Sequence, residues 1–370
     1  NVNNEIVCKK KYVLQWNVEE DSKKPKNVWD TQEFDISNIF MIYKMAAVDK
    51  AKKHTLSYIN TVGEILALSS ILLMEENSFR GMTGLPQDIY QIMRRKFGKK
   101  SLPKEVIELC QRCAIVGREN SKTDLENEID EAYIVIRKSV SSENQKLYRT
   151  VRQNWRTSFN EGISIEDTFV HHSLYPLLRP FFPDTVNWVI NWANKESLSS
   201  TFGSKPDFNV AIRLCDHNYF EILFGLFKSP KKANTKSASI DLVDLGNVMK
   251  DSIDFIYHNY HTDLEIRTYG LHVFGYNARI YVMGLNFDGV YQMYLLGEFE
   301  LSRSHLSFSL VEGAIYQISN LSMIVEEDIK RLNSSPMTPI TTKLMSPTMK
   351  MTMTRSTVGF GFEPDVRFNW

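Results

Sequence analysis

The sequence lacks an excess of charge of either sign: Lys and Arg number 44, and so do Asp and Glu. A balanced chain has no long-range attraction for nucleic acid or for an anionic membrane, so any nucleic-acid surface must be a local basic patch. Cysteine is scarce. Cys8, Cys110, Cys113 and Cys215 are too few and too scattered for a disulfide framework, which predicts a reduced, intracellular protein, nucleus and cytoplasm being equally open. Cys110 and Cys113 have zinc-ligand spacing, but no second pair lies nearby to complete a site. Long apolar runs are missing too. The longest, residues 65–74, falls short of the roughly 20 residues needed to span a bilayer, which argues against a membrane partner. A Gly-rich phosphate loop, a GxSxG elbow and an HExxH pair are all absent, and with them the chemistries those motifs carry. The histidines do not converge either: His171 and His172 are adjacent, and His258 and His261 sit at a predicted helix end.

What is present divides into three regions. A chain of 370 residues has room for two domains and a sizeable core. Residues 1–160 read as an N-terminal helical module, because apolar residues recur at helical spacing from about residue 31. Asp35-Ile36-Ser37 precedes a helically spaced run at Ile39, Phe40, Tyr43 and Met45, and residues 57–74 read as one apolar helix. Prolines at Pro86 and Pro103 open two more. Residues 161–332 read as an α/β domain. It begins with a helix opened by the acids of Ser164-Ile165-Glu166-Asp167, and an aromatic stretch follows at 186–192. Two strands come next, then an amphipathic helix from Ser239, three alternating segments with turns at Gly275-Tyr276-Asn277 and Asp288-Gly289, and a closing helix over 306–332. Residues 333–370 form a Ser/Thr/Met/Pro-rich tail whose composition cannot build a core. Its apolar Val358-Gly359-Phe360-Gly361-Phe362 suits docking onto a protein partner.

The stretch that organises the second region is KPDFNVAIRLCDHNYFEILFGLFK, residues 205–228. Phe208, Val210, Ile212 and Leu214 alternate with Asp207, Asn209, Ala211 and Arg213. The chain then turns at Asp216-His217-Asn218 and returns in a second strand ending on Lys228. An acid at the start of one strand and a lysine at the end of its neighbour is the layout of a metal-dependent phosphodiester-cleaving site.

This stretch resembles the PD-(D/E)XK nuclease superfamily. The resemblance implies an α+β fold in which the N-terminal helical module precedes a restriction-endonuclease-like αβββαβ core with a mixed sheet and extra strands. It also implies a Mg²⁺ site held by the aspartate and by the first residue of an acid-x-Lys triplet, with the lysine positioning or activating the attacking water. Pro206-Asp207 matches the first half; Leu226-Phe227-Lys228 carries a leucine where the second acid belongs. On this resemblance Asp207, Lys228 and Glu166 are the catalytic candidates, and Asp207 and Glu166 the metal ligands. Lys228, Lys231, Lys232 and Lys236 are the contacts to DNA or RNA. The phrasing of other stretches, such as Ile59-Asn60-Thr61 and Pro176-Leu177-Leu178, is similar to that of proteins from early-diverging, mucoralean-type fungi.

With Leu226 in the acid's place, the expectation is a nuclease-fold protein with a degraded metal site, Mg²⁺ weakly held or absent, acting as a nucleic-acid-binding or protein-interaction module. One alternative is an active Mg²⁺-dependent nuclease whose acid has moved to the following helix, at Asp241 or Asp244. The other is a structural or assembly protein. Each residue also has a plain reading: Asp207 as a strand-start aspartate, Lys228 as a strand-end lysine reaching water past an apolar stem, Asp241 and Asp244 as acids in a helix's first turn. Glu221 is set aside, since period-two alternation points it away from Lys228 unless a bulge intervenes. The basic cluster Arg94-Arg95-Lys96 with Lys99-Lys100 reads first as a solvated helix end and second as a phosphate patch.

Overall fold

In a computed structural model of the chain, residues 11–16, 35–75, 100–119, 126–127, 129–131, 134, 141–157, 166–185, 188–192, 195–200, 203–213, 219–260, 264–334 and 351–356 are described. The helix expected to open at Pro86, most of the basic cluster, the expected turn at Asp216-His217-Asn218 and the apolar end of the tail lie outside them.

A short strand, β1 (Lys11–Trp16), precedes the first helix. Asp35 accepts the Asn38 N–H at 2.9 Å and so caps helix α1 (Ile36–Lys52), whose last turn carries Lys50 and Lys52 as the helix dipole favours. The sequence predicts one helix over 57–74. Instead, helix α2 (Val62–Leu68) stops at Ser69-Ser70 and the chain continues as strand β2 (Ile71–Met74), buried along its whole length. Ser70 makes the break with a left-handed φ of 61°. Its hydroxyl accepts Lys44 Nζ at 2.7 Å, and its carbonyl accepts the Tyr291 N–H at 3.0 Å. The four-residue run Ile-Leu-Leu-Met has no polar face to turn toward water, so it suits a buried strand better than an amphipathic helix.

Helices α3 (Lys104–Glu119) and α4 (Ser142–Thr157) follow. Helix α5 runs over 166–178 in three consecutive pieces: an α-turn at Glu166–Phe169, a π-helical turn at Val170–Leu174 and a last α-turn at Tyr175–Leu178. Then come β3 (Trp188–Trp192), β4 (Phe208–Arg213) and β5 (Tyr219–Lys228). After α6 (Thr235–Tyr260) the chain forms β6 (Arg267–Phe274), β7 (Asn277–Phe287) and β8 (Val290–Glu300). Helix α7 (Leu310–Ser334) and strand β9 (Met351–Ser356) complete the order.

Strands β2 to β8 form one mixed open sheet in the order β2-β8-β7-β6-β5-β4-β3. Neighbours are antiparallel except at two places, β2 with β8 and β5 with β6. The second parallel pair is joined through α6, the crossover that parallel neighbours require. The turn at Asp288-Gly289 closes β7 onto β8 as the sequence predicts, with Gly289 at φ 71°.

Helices cover both faces, which is why β6 is buried almost without interruption. On one face α6 lies close to the sheet. A Cβ at Gly270 would stand 2.6 Å from Met249 Sδ, so glycine sets that approach, and Thr268 donates to the Met249 carbonyl at 3.1 Å. On the other face the rings of Trp192, Phe208, Phe182 and Phe227 pack together, with ring centroids 4.6 to 6.4 Å apart. Helix α7 covers the same face. Its Asp328, 2 % exposed, accepts the Tyr269 hydroxyl and Arg267 at 2.5 Å each, and Arg331 at 3.0 Å. Removing a buried anion from such a cluster strands the partner charges. Asp328→Ala is therefore expected to cost about 3 kcal/mol, read as a lower urea midpoint at unchanged denaturant slope.

The tail's composition predicts no element of its own, yet β9 pairs antiparallel with β1, from Lys11 opposite Ser356 to Trp16 opposite Met351. A two-stranded ladder satisfies backbone groups without needing a core. Among the described residues no helix is long and apolar enough to cross a membrane.

Candidate active site

Asp207 is the residue before β4, and its neighbourhood follows from strand pairing. Phe208 stands opposite Gly225, so Asp207 falls beside the last residues of β5. Its Oδ2 accepts the Phe227 N–H at 2.7 Å. Burial pushes its pKa up, while the Phe227 N–H and the nearby Lys228 ammonium pull it down and Glu166 adds to the rise. The two strand residues singled out from the sequence therefore do meet at one end of the sheet.

Lys228 is the centre of the cluster. Its Nζ lies 3.5 Å from Glu166 Oε1 and 3.6 Å from Asp241 Oδ2. Burial alone would lower its pKa, but Asp241, Glu166 and Asp207 together raise it, so the ammonium is charged at neutral pH. Glu166 reaches it from the first turn of α5, and Asp241 from α6. The strand end is pinned from behind as well, since the Lys228 carbonyl accepts the Gly275 N–H at 2.8 Å in the β6–β7 turn, where Gly275 adopts φ 65°.

Three carboxylates thus converge on one ammonium, and two of them come from helices. Asp241 is 7 % exposed, and burial lifts its pKa to about 6, with Lys228 pulling the other way. Glu166 Oε2 and Asp241 Oδ2 are buried and accept no hydrogen bond beyond their longer ion pairs, the former 3.3 Å from Lys232 Nζ. Carboxylate oxygens kept out of water without donors cost free energy. Folding stability therefore does not explain their placement.

Asp244 lies one helical turn beyond Asp241 and does not share its contact with Lys228. Burial first, and Asp241 second, raise its pKa to about 7. Lys231 and Lys236 are exposed, Lys231 in the loop and Lys236 in the first turn of α6. Lys232 is exposed too but paired with Glu166.

Glu221 needs a correction. A bulge does intervene, since Val210 pairs with Leu223 but Ala211 pairs with Glu221, leaving Ile222 as the extra residue. The slip turns Glu221 to the side of Asn209, whose amide donates to Glu221 Oε1 at 2.9 Å. It stays seven residues from Lys228, about 23 Å along an extended strand. Its other oxygen is taken by Ser197 at 2.5 Å and by the hydroxyl and N–H of Ser199 at 3.0 and 3.3 Å. Glu221 is therefore a structural anion.

The donor set can be tested against a divalent ion. Mg²⁺ is bound through one or two carboxylates, with water and substrate phosphate completing its shell, rather than by an all-protein cage. Among the described residues no three His, Cys, Asp or Glu side chains stand close enough to form such a cage. Asp207, close enough to raise the pKa of Asp241, and an Asp241 Oδ2 that is buried with no hydrogen bond beyond its 3.6 Å ion pair to Lys228 fit the sparser kind of site. Leu226, partly buried, contributes nothing to it.

One histidine was missed in the sequence. His272 is 2 % exposed in β6, opposite Leu226, and both its ring nitrogens are buried without a hydrogen-bond partner. The available signal was its place in an alternating run between Leu271 and Val273. No protein-family model, curated protein or solved structure matches the chain.

Proposed function

We propose that the chain is a nuclease-fold protein of the PD-(D/E)XK kind that cleaves phosphodiester bonds with a divalent metal ion, the missing strand acid being supplied by Asp241 from helix α6. The observation that carries this reading is the convergence of Glu166, Asp207 and Asp241 around Lys228 at one end of the sheet. Element order supports it independently. Helix α5, strands β3, β4 and β5, helix α6 and strand β6 follow one another as αβββαβ, with β6 parallel to β5; β2, β7, β8 and α7 are additions to that core.

Asp207 and Asp241 would hold Mg²⁺, with Glu166 beside them; when bound, the ion polarises the phosphoryl oxygen and lowers the pKa of a water. The chain's own groups do the rest. Lys228, kept charged by three carboxylates, orients the attacking water and neutralises charge building on the phosphate. Exposed Lys231, Lys232 and Lys236 offer the local basic patch that a neutral chain needs to hold a DNA or RNA backbone.

A second reading is favoured by a specific observation. Lys228 already pairs with Glu166 and Asp241, and no three-ligand cage is formed among the described residues. That arrangement suits a fold that binds nucleic acid through its lysines without cutting it.

The deciding assay incubates single- and double-stranded DNA and RNA with the full chain and Mg²⁺ or Mn²⁺, alongside Asp207→Asn. Cutting by the parent, reduced at least about 100-fold in the variant, is the expected result. Salt-sensitive binding without cutting would select the second reading. Neither cutting nor binding would remove both.

A further inference from the structure

A cavity of about 510 Å³ opens beside the acid–lysine cluster, between the start of α6, the end of β6 and the β6–β7 turn. It is within the size range of small-molecule sites and large enough for one nucleotide. Its relation to the cluster is close, because Asp241 and the cavity-lining Leu242 are successive residues of α6. His272, which lines it, stands opposite Leu226, two residues before Lys228.

Three features of the lining bear on what it takes. The first is the start of α6, a helix of 26 residues with no acid in its first turn and Lys236 there instead. A cation at that end works against the helix dipole, so the sequence has left the positive end unneutralised. Asn234 caps only part of it, accepting the Ser237 N–H at 2.9 Å. The second is a pair of arginines laid over aromatic rings: Arg279 over Phe274 at 5.5 Å and Arg303 over Tyr276 at 4.8 Å. Both also pair with acids outside the lining, Arg279 with Glu298 at 3.4 Å and Glu75 at 3.6 Å and Arg303 with Glu300 at 2.5 Å, which hold their guanidinium groups in place. The third is His272. A buried polar ring with neither nitrogen satisfied is destabilising, and such a group in a folded protein calls for an explanation.

Burial first, then Arg279 and Lys228, lowers the pKa of His272 to about 3. The ring is therefore neutral, with one nitrogen donating and the other accepting. The two nitrogens point in different directions, so the ring can offer one hydrogen bond to a nucleobase edge in the cavity it lines, and the helix start with Arg303 matches a phosphate.

We infer that this cavity is a subsite for one nucleotide of the bound strand, its phosphate held at the start of α6 and by Arg303 and its base edge read by His272. The inference rests on the nucleic-acid reading of the neighbouring cluster. Its test is therefore made on binding, in EDTA, where cleavage plays no part.

Calorimetric titration of the full chain with inorganic phosphate, the four 5′-ribonucleoside monophosphates and DNA and RNA trinucleotides supplies the probes, with Arg303→Glu and His272→Leu as variants. Saturable binding is expected, tighter for a trinucleotide than for a monophosphate and tighter for a monophosphate than for phosphate. Arg303→Glu, an exposed change that leaves the core intact, should weaken every probe at least about 10-fold. His272→Leu should erase differences among the four bases and leave phosphate binding unchanged. No nucleotide binding by the parent, phosphate binding as tight as nucleotide binding, or binding indifferent to Arg303→Glu would each overturn the proposal. Tighter binding of monophosphates than of trinucleotides would also overturn it, by assigning the cavity to a free nucleotide. Cutting without nucleotide binding would sink this inference alone, and nucleotide binding without cutting would sink the cleavage reading alone.

Discussion

Asp241→Asn is expected to lower metal-dependent cleavage by about 10³-fold, the roughly 4 kcal/mol that loss of a metal-held, charge-stabilising contact represents. Adding Leu226→Asp to that variant should recover a large part of the loss. The reasoning is geometric. Positions 226 and 228 of β5 share a face of the sheet, since strand side chains alternate with period two and no bulge separates them. Asp207 stands beside Leu226 across the β4–β5 ladder, so a carboxylate at 226 would enter the space that Asp241 now approaches from α6. The measurement is the initial rate of cutting over a series of Mg²⁺ concentrations, for the parent, the two single variants and the double variant. Unchanged cutting by Asp241→Asn would dismiss the relocated acid. If the parent binds without cutting, Leu226→Asp alone should create activity, because it restores the only part the triplet lacks.

The hairpin end of the site was legible because it is local. Asp207 and Lys228 lie on adjacent strands of one hairpin, and alternation alone brings them to the same end of the sheet. Of the two helical acids, Glu166 was named from the start of its helix and Asp241 was the harder one. From the sequence, α6 begins near Ser239, which makes Asp241 a first-turn acid explained by the helix dipole. The helix in fact begins at Thr235, and its first turn holds no acid. The dipole effect fades beyond the first turn, so a shift of four residues removes the plain explanation of Asp241 and leaves its contact with Lys228. Strand β2 was hidden by the same ambiguity of short apolar runs: residues 71–74 read equally well as the end of a helix until Ser70 is seen in a left-handed turn. The bulge at Ile222 has no signature in the residues themselves, and alternation places His272 in a strand without showing that its ring nitrogens go unpartnered. The bulge depends on the register that β4 and β5 take within their hairpin, and the surroundings of His272 on how β6 pairs with β5 across the crossover and on what α6 covers.

Glu221→Ala is expected to destabilise the fold by about 4 kcal/mol, and Glu221→Gln by about 2–3 kcal/mol, although Gln keeps the shape. Alanine leaves Ser197, Ser199 and Asn209, all buried, without the acceptor they share. The cost of Gln follows from the direction of the hydrogen bonds. Lys195 donates to Asn191 Oδ1 at 3.1 Å, Asn191 donates to Asn209 Oδ1 at 2.7 Å, and Asn209 donates to Glu221 Oε1 at 2.9 Å. An ammonium can only donate, so this chain cannot be reversed to accept from an amide at 221. The Ser199 N–H points at the other oxygen and can only donate, so turning the amide over sets two N–H groups against each other there, even though the serine hydroxyls can rotate to accept. Urea unfolding followed by far-ultraviolet circular dichroism measures both losses, which should appear as lower midpoints at an unchanged slope. A Gln variant as stable as the parent would mean that Glu221 is not held as an anion by converging donors. Because Glu221 stands about 23 Å along the strand from Lys228, cutting per folded molecule should be the same in both variants, which separates this anion from the three that meet at Lys228.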